Sequence, residues 1–403
     1  MSNDIPIEIQ EEIMKRLPVK SLVQFRSVCK AWKSLMDGSD FIKYYSGQQQ
    51  HLLLGYSGYY HDRKYVSVVD NDSFPQQKVY LALPNMLKYF NMFGGSHGLF
   101  CLYGKHRDGK RSRAILWNPL VRKVVVVVVP TRMDETKIGF GVCRETMDPK
   151  ILKITQIERW RDVESLHCIP WQVEVFTLST GWRRPYSTSL PRTSIDFFSL
   201  QVAVNGHLYW LAVDKITCTD GGFRIYKLII SFNLTSEEFG EINLPATLAK
   251  QCYLNLSMSK LRESLVVLEL VADEMVSVAW RMEGGASKSF TKLFIVNIPY
   301  VSVKIRGFRK NDESIIEFVD HDCSKWDDSY APRSFALYNP YSKQSKNIGI
   351  SEFARSFLVD FYMETLLLVD QPDFIVYDNG NCRFENSNGR AKKKKLLKHT
   401  NQV

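Results

Sequence analysis

Apolar residues recur at Ile5, Ile9, Ile13 and Leu17, every fourth position, which predicts one stripe along a helix. Pro6 suits the first turn of that helix, with Asp4 before it as a cap. Glu8, Glu11 and Glu12 then precede Lys15 and Arg16 in the order the helix dipole favours, and Pro18 stops the run. A short second helix would carry Leu22 and Phe25, and a third would carry Val28, Trp32 and Leu35 on one face. About 45 residues are too few for a self-sufficient core, so these apolar faces need either the rest of the chain or another protein.

From residue 50 onward the helical period gives way to alternation, with β-branched and aromatic runs cut by Gly, Pro, Asn and Asp. A turn followed by an apolar strand recurs in "SHGLFCLYG", "MDPKILKIT", "VNGHLYWLA", "RESLVVLEL", "NDESIIEFV" and "METLLLVD". With Leu99, Ile151, Leu208, Leu265, Ile315 and Leu366 as equivalent positions, the intervals are 52, 57, 57, 50 and 51 residues. A second strand follows in "ILWNP", "EVFTL", "SFNLT", "ALYNP", "FIVNIP" and "FIVYDN". Six units of this length suit a β-propeller of the kelch kind, whose blades pack face to face around an axis. Val124–Val129 reads as an inner strand buried on both faces. Residues 52–70 fall outside the six-fold count and are expected to complete a blade or help close the ring.

Composition narrows the class. The 403 residues are 45% hydrophobic and carry a formal charge of +10, but Arg390, Lys392, Lys393, Lys394, Lys395 and Lys398 supply six of those charges after the last acid, leaving about +4 on the body. That field is weak and argues against nucleic-acid binding. The opening "MSNDIP" has no secretory pattern, and Val124–Val129 is far shorter than the about 20 apolar residues a membrane span needs, so a cytoplasmic or nuclear protein without membrane contact is expected. Eight scattered cysteines without a C-x-x-C pair predict reduced, mostly buried thiols and no metal. Cys29 reads in the same way, as a buried thiol on an apolar helix face.

Few stretches carry catalytic chemistry. "DHDCSKWDD" at 320–328 is the densest polar cluster, but one His among acids lacks metal-ligand spacing, and a solvated inter-strand loop accounts for it. His97 and His207 occupy equivalent repeat positions and read as turn residues. No phosphate-binding glycine loop is present. "GWRRP", with Trp182, Arg183 and Arg184, could anchor an acidic partner; a hairpin turn with snorkelling arginines explains it equally well. The lysine run near the end could contact nucleic acid, serve as a nuclear address, or form a solvated tail with no dedicated role.

The first 45 residues resemble the F-box, the adaptor-binding motif of SCF-type ubiquitin ligases. "IPIEI", "IMKRLPVKSL" and "RSVCKAW" match in order and spacing, and the "LPVKSL…FRSVCKAW" version is similar to plant F-box proteins. "SHGLFCL", "LWNPLVRK", "GFGV" and "VNGHLYWL" resemble the F-box-associated, kelch-related domain of the same proteins. The resemblance implies an α+β chain: a three-helix F-box over 1–45, an all-β propeller-like domain of about six blades over 46–385, and a basic, disordered tail over 386–403. It implies a Skp-family adaptor bound through Ile5, Pro6, Ile9, Ile13, Leu17, Pro18, Leu22, Val28, Cys29 and Trp32, and through that adaptor a cullin and a RING subunit. The propeller would hold an unidentified target protein for ubiquitination, with Trp182, Arg183 and Arg184 as candidate contacts. No catalytic residue and no cofactor is implied. The alternative is a propeller that binds or transforms a small molecule or glycan, with the helices as a cap.

Overall fold

The computed structural model describes residues 5–392, except 46, 48, 58–62, 82–83, 85–86, 88–89, 106–110, 131–134, 157–171, 187–191, 193–194, 218–222, 272, 285–287, 300, 320–332, 353–355, 379–380 and 386–390. The "DHDCSKWDD" cluster and all of the lysine run beyond Lys392 therefore lie outside the described residues.

Four short helices open the chain where three were expected: α1 (Ile7–Met14), α2 (Val19–Phe25), α3 (Lys30–Met36) and α4 (Ser39–Tyr44). Pro6 and Pro18 stand at the N-caps of α1 and α2, where a missing N–H leaves nothing unsatisfied. Cys29 caps α3, its Sγ accepting the Trp32 N–H at 3.4 Å. Its thiol is exposed rather than buried, because Val28 and Cys29 precede the helix instead of forming its apolar face. Among the described cysteines only Cys101 and Cys143 are buried.

The strands of the rest of the described chain form six sheets, antiparallel except for one pair, the blades of a propeller. Blade 1 runs outward from Ser356–Met363 through Gln50–Ser57 and Arg63–Val69 to Lys78–Tyr80. Blade 2 comprises Asn91–Ser96, Leu99–Lys105, Ser112–Asn118 and Lys123–Val129, and blade 3 Glu135–Val142, Pro149–Gln156, Gln172–Thr177 and Gly181–Arg183. In blade 4 two short inner strands, Ile195–Phe197 and Val202–Val204, share the partner His207–Thr217, followed by Phe223–Asn233 and Phe239–Asn243. Blade 5 holds Leu256–Leu261, Ser264–Val271, Val276–Glu283 and Ser289–Val296; blade 6 holds Ser302–Phe308, Ser314–Val319, Arg333–Tyr338 and Ser345–Glu352.

Each junction between neighbouring blades has its own apolar cluster. Between blades 2 and 3, for example, Val125, Val127 and Val129 meet Ile138, Phe140 and Val142. Between blades 3 and 4, Leu152 and Ile154 meet Trp210 and Phe232. Alternate residues of one strand thus serve two junctions, since side chains on a strand point to opposite faces.

Leu99, Ile151, Leu208, Leu265 and Ile315 all lie on second strands, as the repeat spacing predicts. Leu366 does not. It falls beyond Ser356–Met363, and the second strand of that blade is Gln50–Ser57 from the other end of the chain. The two strands pair antiparallel over eight positions, from Gln50↔Met363 to Ser57↔Ser356, and close the ring. The Val124–Val129 run is buried on both faces as expected, but it stands fourth from the axis. It is interior because Ile375–Asp378 pairs with it in parallel and Asn381–Glu385 and Ala391–Lys392 continue the sheet. Ile375–Asp378, within "FIVYDN", is thus a strand added outside the fourth of blade 2, and "FIVNIP" belongs to the fourth strand of blade 5 rather than the third. Ala391–Lys392 carries paired strand past the boundary expected at 385.

Antiparallel order places the turns after first and third strands on one face of the ring. Two of them, His97–Gly98 and Asn205–Gly206, have positive φ at both residues, the geometry of a two-residue hairpin turn. His97 therefore matches Asn205, not His207, in the repeat. The helices sit on this same face, against the third-to-fourth turn of blade 2 and the chain leaving Ser356–Met363.

Candidate functional site

The helical module has two distinct faces. Met14, Val19, Leu22, Met36 and Phe41 are buried with Val121, Leu366 and Val369 of the propeller, and Leu17, Phe25, Trp32 and Leu35 pack at the margin of this cluster. Polar groups fix the same junction. Glu364 Oε2 accepts the Val19 N–H at 3.1 Å, Tyr45 Oη donates to the Leu17 carbonyl at 2.7 Å, and Asn118 Nδ2 donates to the carbonyls of Thr365 and Leu367. Behind Glu364 lies His51, with Nε2 at 3.7 Å from its Oε1. Gly47 passes so close that an added Cβ would stand 2.3 Å from the Glu364 Cβ.

The other face is open. Ile5, Ile9 and Ile13 are 52%, 52% and 49% exposed and Val28 is 63% exposed; Ile7, Pro6, Pro18 and Cys29 are also exposed. Of the ten residues the resemblance assigns to an adaptor, Leu22 is fully buried against the propeller, and Leu17 and Trp32 are half-buried. Trp32 ties α3 to α1 through a 2.6 Å bond from Nε1 to Gln10 Oε1 and packs its ring 5.6 Å from Phe25. Those three support the module, while the isoleucines, Val28, the prolines and Cys29 face outward.

The inner strands of blades 5 and 1 are joined by a partly buried ion pair. Lys260 Nζ stands 2.5 Å from Asp360 Oδ1 and donates to the Phe361 carbonyl at 3.1 Å. Burial pushes the Asp360 carboxyl above its ordinary range, against the opposing pull of Lys260 and the backbone N–H groups of Phe361 and Gly95. Gly95 makes room for the carboxylate, since a Cβ there would fall 2.3 Å from Oδ2. On the helix side of the pair a cavity of 220 Å³ includes His97, Arg144, Asn205, His207 and Arg262. Burial holds His97 below its ordinary value, with the Arg144 and Lys260 charges adding to the effect. On the opposite side a cavity of 270 Å³ has a mixed lining, apolar at Phe93, Leu200 and Leu358 and polar at Ser257, Ser259 and Arg306, the last paired with Glu317. Gln201 in its wall is fixed by a pair of hydrogen bonds to the next blade, accepting from the Phe140 N–H at 2.6 Å and donating to the Phe140 carbonyl at 2.5 Å. Neither Lys260, Asp360 nor Gln201 was singled out from the sequence. The available signal was one charge in each of two apolar inner strands, "LSMSKL" and "SFLVDFYM".

The "GWRRP" turn uses most of its chemistry internally. Trp182 Nε1 donates to the Val128 carbonyl at 3.0 Å, and its ring packs against Phe176. Arg183 makes two bonds to Glu237, of 2.7 and 2.6 Å, and Lys150 Nζ adds a third at 2.7 Å. Burial alone would raise the Glu237 carboxyl, yet the Arg183 and Lys150 donors hold it below its ordinary value. Arg184 is exposed. Among the described residues, no cluster of three or more His, Cys, Asp or Glu could hold a metal ion, and no helix is long and apolar enough to cross a membrane.

The F-box associated beta propeller domain family matches residues 64–322, well over half of the chain, and the F-box domain matches residues 2–44. The chain belongs to the F-box-associated β-propeller family. A putative F-box protein of Arabidopsis thaliana is 28% identical over 315 residues, covering 70% of this chain and 72% of the relative. An F-box/kelch-repeat protein of the same plant is 24% identical over 333 residues, covering 78% and 85%. Among solved structures, hydrazine synthase of Kuenenia stuttgartiensis aligns with a TM-score of 0.45 and 10% identity, over 81% of this chain and 48% of that one. F-box and F-box-associated propeller thus account for both faces of the helical module: one is anchored on the blades and the other is left free.

Proposed function

We propose that this F-box propeller protein is the substrate-recognition subunit of an SCF-type ubiquitin ligase. The outward face of α1, with Pro18, Val28 and Cys29, binds a Skp-family adaptor, which brings the cullin and RING subunits. The propeller holds the target, and the chain itself performs no chemistry. Its contribution is effective concentration, holding a target lysine near the ubiquitin-charged enzyme for the lifetime of the complex. The site of action is the cytoplasm or nucleus.

The observation that carries this reading is the row Ile5, Ile9 and Ile13, each about half exposed, the first just before and the other two on a helix whose opposite face is already anchored. A patch of aliphatic side chains left open in this way marks an interaction surface. Fully burying an isoleucine is worth about 1.5–3 kcal/mol, so completing the burial of two half-exposed ones contributes roughly 2 kcal/mol, about thirtyfold in affinity. The test is co-purification with a recombinant Skp-family adaptor and cullin, followed by ubiquitin transfer in the reconstituted complex. Ile9→Ala with Ile13→Ala is expected to weaken adaptor binding about thirtyfold or more without lowering the melting temperature. Failure of the wild-type chain to bind any adaptor would overturn the reading.

A further inference from the structure

The 270 Å³ cavity opens on the ring face opposite the helices, because its lining comes from the starts of Ser356–Met363 and Leu256–Leu261 and the cavity of the helix face from their ends. The second strands of the six blades end on this same face, at Ser57, Lys105, Gln156, Thr217, Val271 and Val319. Its wall is shaped by a bulge. Residues 198–201 interrupt the inner strand of blade 4, between the pairs Phe197↔Ala212 and Val202↔Tyr209, and the Leu211 N–H bonds to Ser199 Oγ at 2.9 Å. Bulges of this kind redirect side chains next to functional sites. Here the bulge leaves Leu200 at the rim, 56% exposed, while Phe198 packs against Tyr253, itself exposed and next to the exposed Leu254.

We propose that this cup binds a tyrosine side chain carried on an apolar segment of the target protein. The proposal rests on the ligase-receptor reading for the source of that segment. Size comes first: pockets for drug-sized ligands begin at about 300 Å³, so this one suits a single ring better than a metabolite. Leu200 in the lining, together with the exposed Tyr253 and Leu254 beside the lining residue Phe198, offers more apolar surface than one ring covers, which favours a side chain with apolar neighbours along its backbone. The floor then selects the ring. An ammonium only donates and a carboxylate only accepts, whereas a phenol does both. Its oxygen accepts from Lys260, whose third N–H has no acceptor among the described residues, and its proton goes to Asp360. Phenylalanine leaves the pair unserved, an indole N–H can only donate, and a phosphorylated tyrosine brings like charge against Asp360.

The full-length chain, purified with its adaptor, is titrated by fluorescence anisotropy with end-blocked, fluorescein-labelled Leu-Tyr-Leu, Leu-Phe-Leu and Leu-phosphotyrosine-Leu. The tyrosine peptide is expected to saturate below about 1 mM, the phenylalanine peptide to bind about tenfold more weakly, and the phosphopeptide not to bind. Leu200→Asp, at an exposed position that a folded chain tolerates, is expected to weaken the tyrosine peptide at least tenfold. Val79→Asp, on the outer strand of blade 1, is expected to change nothing. The double variant Lys260→Met with Asp360→Leu replaces the ion pair by apolar groups, which commonly preserves folding, and is expected to reverse the preference toward phenylalanine. No binding by the wild type, equal binding of tyrosine and phenylalanine, tighter binding of the phosphopeptide, or an unaffected Leu200→Asp would each overturn the proposal. A preparation that holds adaptor but ignores the peptide refutes the cup alone; one that binds the peptide but no adaptor refutes the ligase reading alone.

Discussion

Replacing Leu22 by alanine separates the two faces of the helical module. Leu22 is fully buried, with propeller residues Val121, Leu366 and Val369 on the other side of its cluster. Truncating a leucine at such a site costs about 2–5 kcal/mol, depending on how far the cavity collapses. The module is too small to hold a core of its own, so the loss falls on its attachment to the blades. Even the lower figure shifts the ratio of docked to undocked helices about thirtyfold. The six blade junctions contain no atom of Leu22 and are expected to keep their stability. Hydrogen exchange read by mass spectrometry distinguishes these outcomes. Amides of Val19–Phe25 and Lys30–Met36 are expected to exchange at least thirtyfold faster in Leu22→Ala, with the strands of blades 4 and 5 unchanged. Ile13→Ala, whose side chain is half exposed, is expected to leave helix exchange within about threefold of wild type. Unaltered helix exchange in Leu22→Ala, or equal loosening of blades 4 and 5, would show that this cluster is not what holds the module.

Three further outcomes follow from the blades. Gly95→Ala places a Cβ against Asp360 and Phe100 and is expected to lower the melting temperature by several degrees; an unchanged melt would mean that the axis yields more readily than its packing indicates. Glu237 titrates below its ordinary 4.5 in the folded chain, so its stabilisation is complete above that value and vanishes as pH falls through the lower folded value. Glu237→Gln is therefore expected to lower stability at about pH 6 and to flatten the loss on going to about pH 3, checked by urea unfolding at both. Truncation after Asp370 removes the strands beside Val124–Val129 and leaves that valine-rich edge unpaired, so the soluble fraction on expression is expected to fall sharply, although four of the six clusters between blades keep every member and the two flanking blade 2 lose only Ile375 and Val376 from their buried residues.

Local patterns were the legible part of this fold. The fourfold spacing of Ile9 and Ile13 marks α1, which begins just after Ile5, and five of six second strands stand where the repeated turn-and-strand pattern puts them, because each of these signals lies within a few neighbouring residues. The sixth second strand was hidden, since Gln50–Ser57 finds its partner at the far end of the chain and no local period records that pairing. Leu366 imitated a repeat position because it is apolar for another reason, as part of the seat for the helices. Periodicity could also not tell that Leu22 faces the propeller while Ile13 faces out, because both satisfy the same helical spacing. Trp182 and Arg183 have the composition of an exposed anchor, and only the tertiary arrangement of Val128 and Glu237 shows where their donors go.

Ring closure also sets a schedule for biosynthesis. Gln50–Ser57 leaves the ribosome about 300 residues before Ser356–Met363, the strand on which it must close, and at roughly 5–20 residues per second that delay is on the order of 15–60 s. Leu366 and Val369, the seat for the helices, arrive later still. Throughout that interval the nascent chain presents an unpaired strand edge directly behind helices with two uncovered apolar faces. The first 57 residues are therefore the natural client of a chaperone, or of the adaptor itself, while the other blades are still being made.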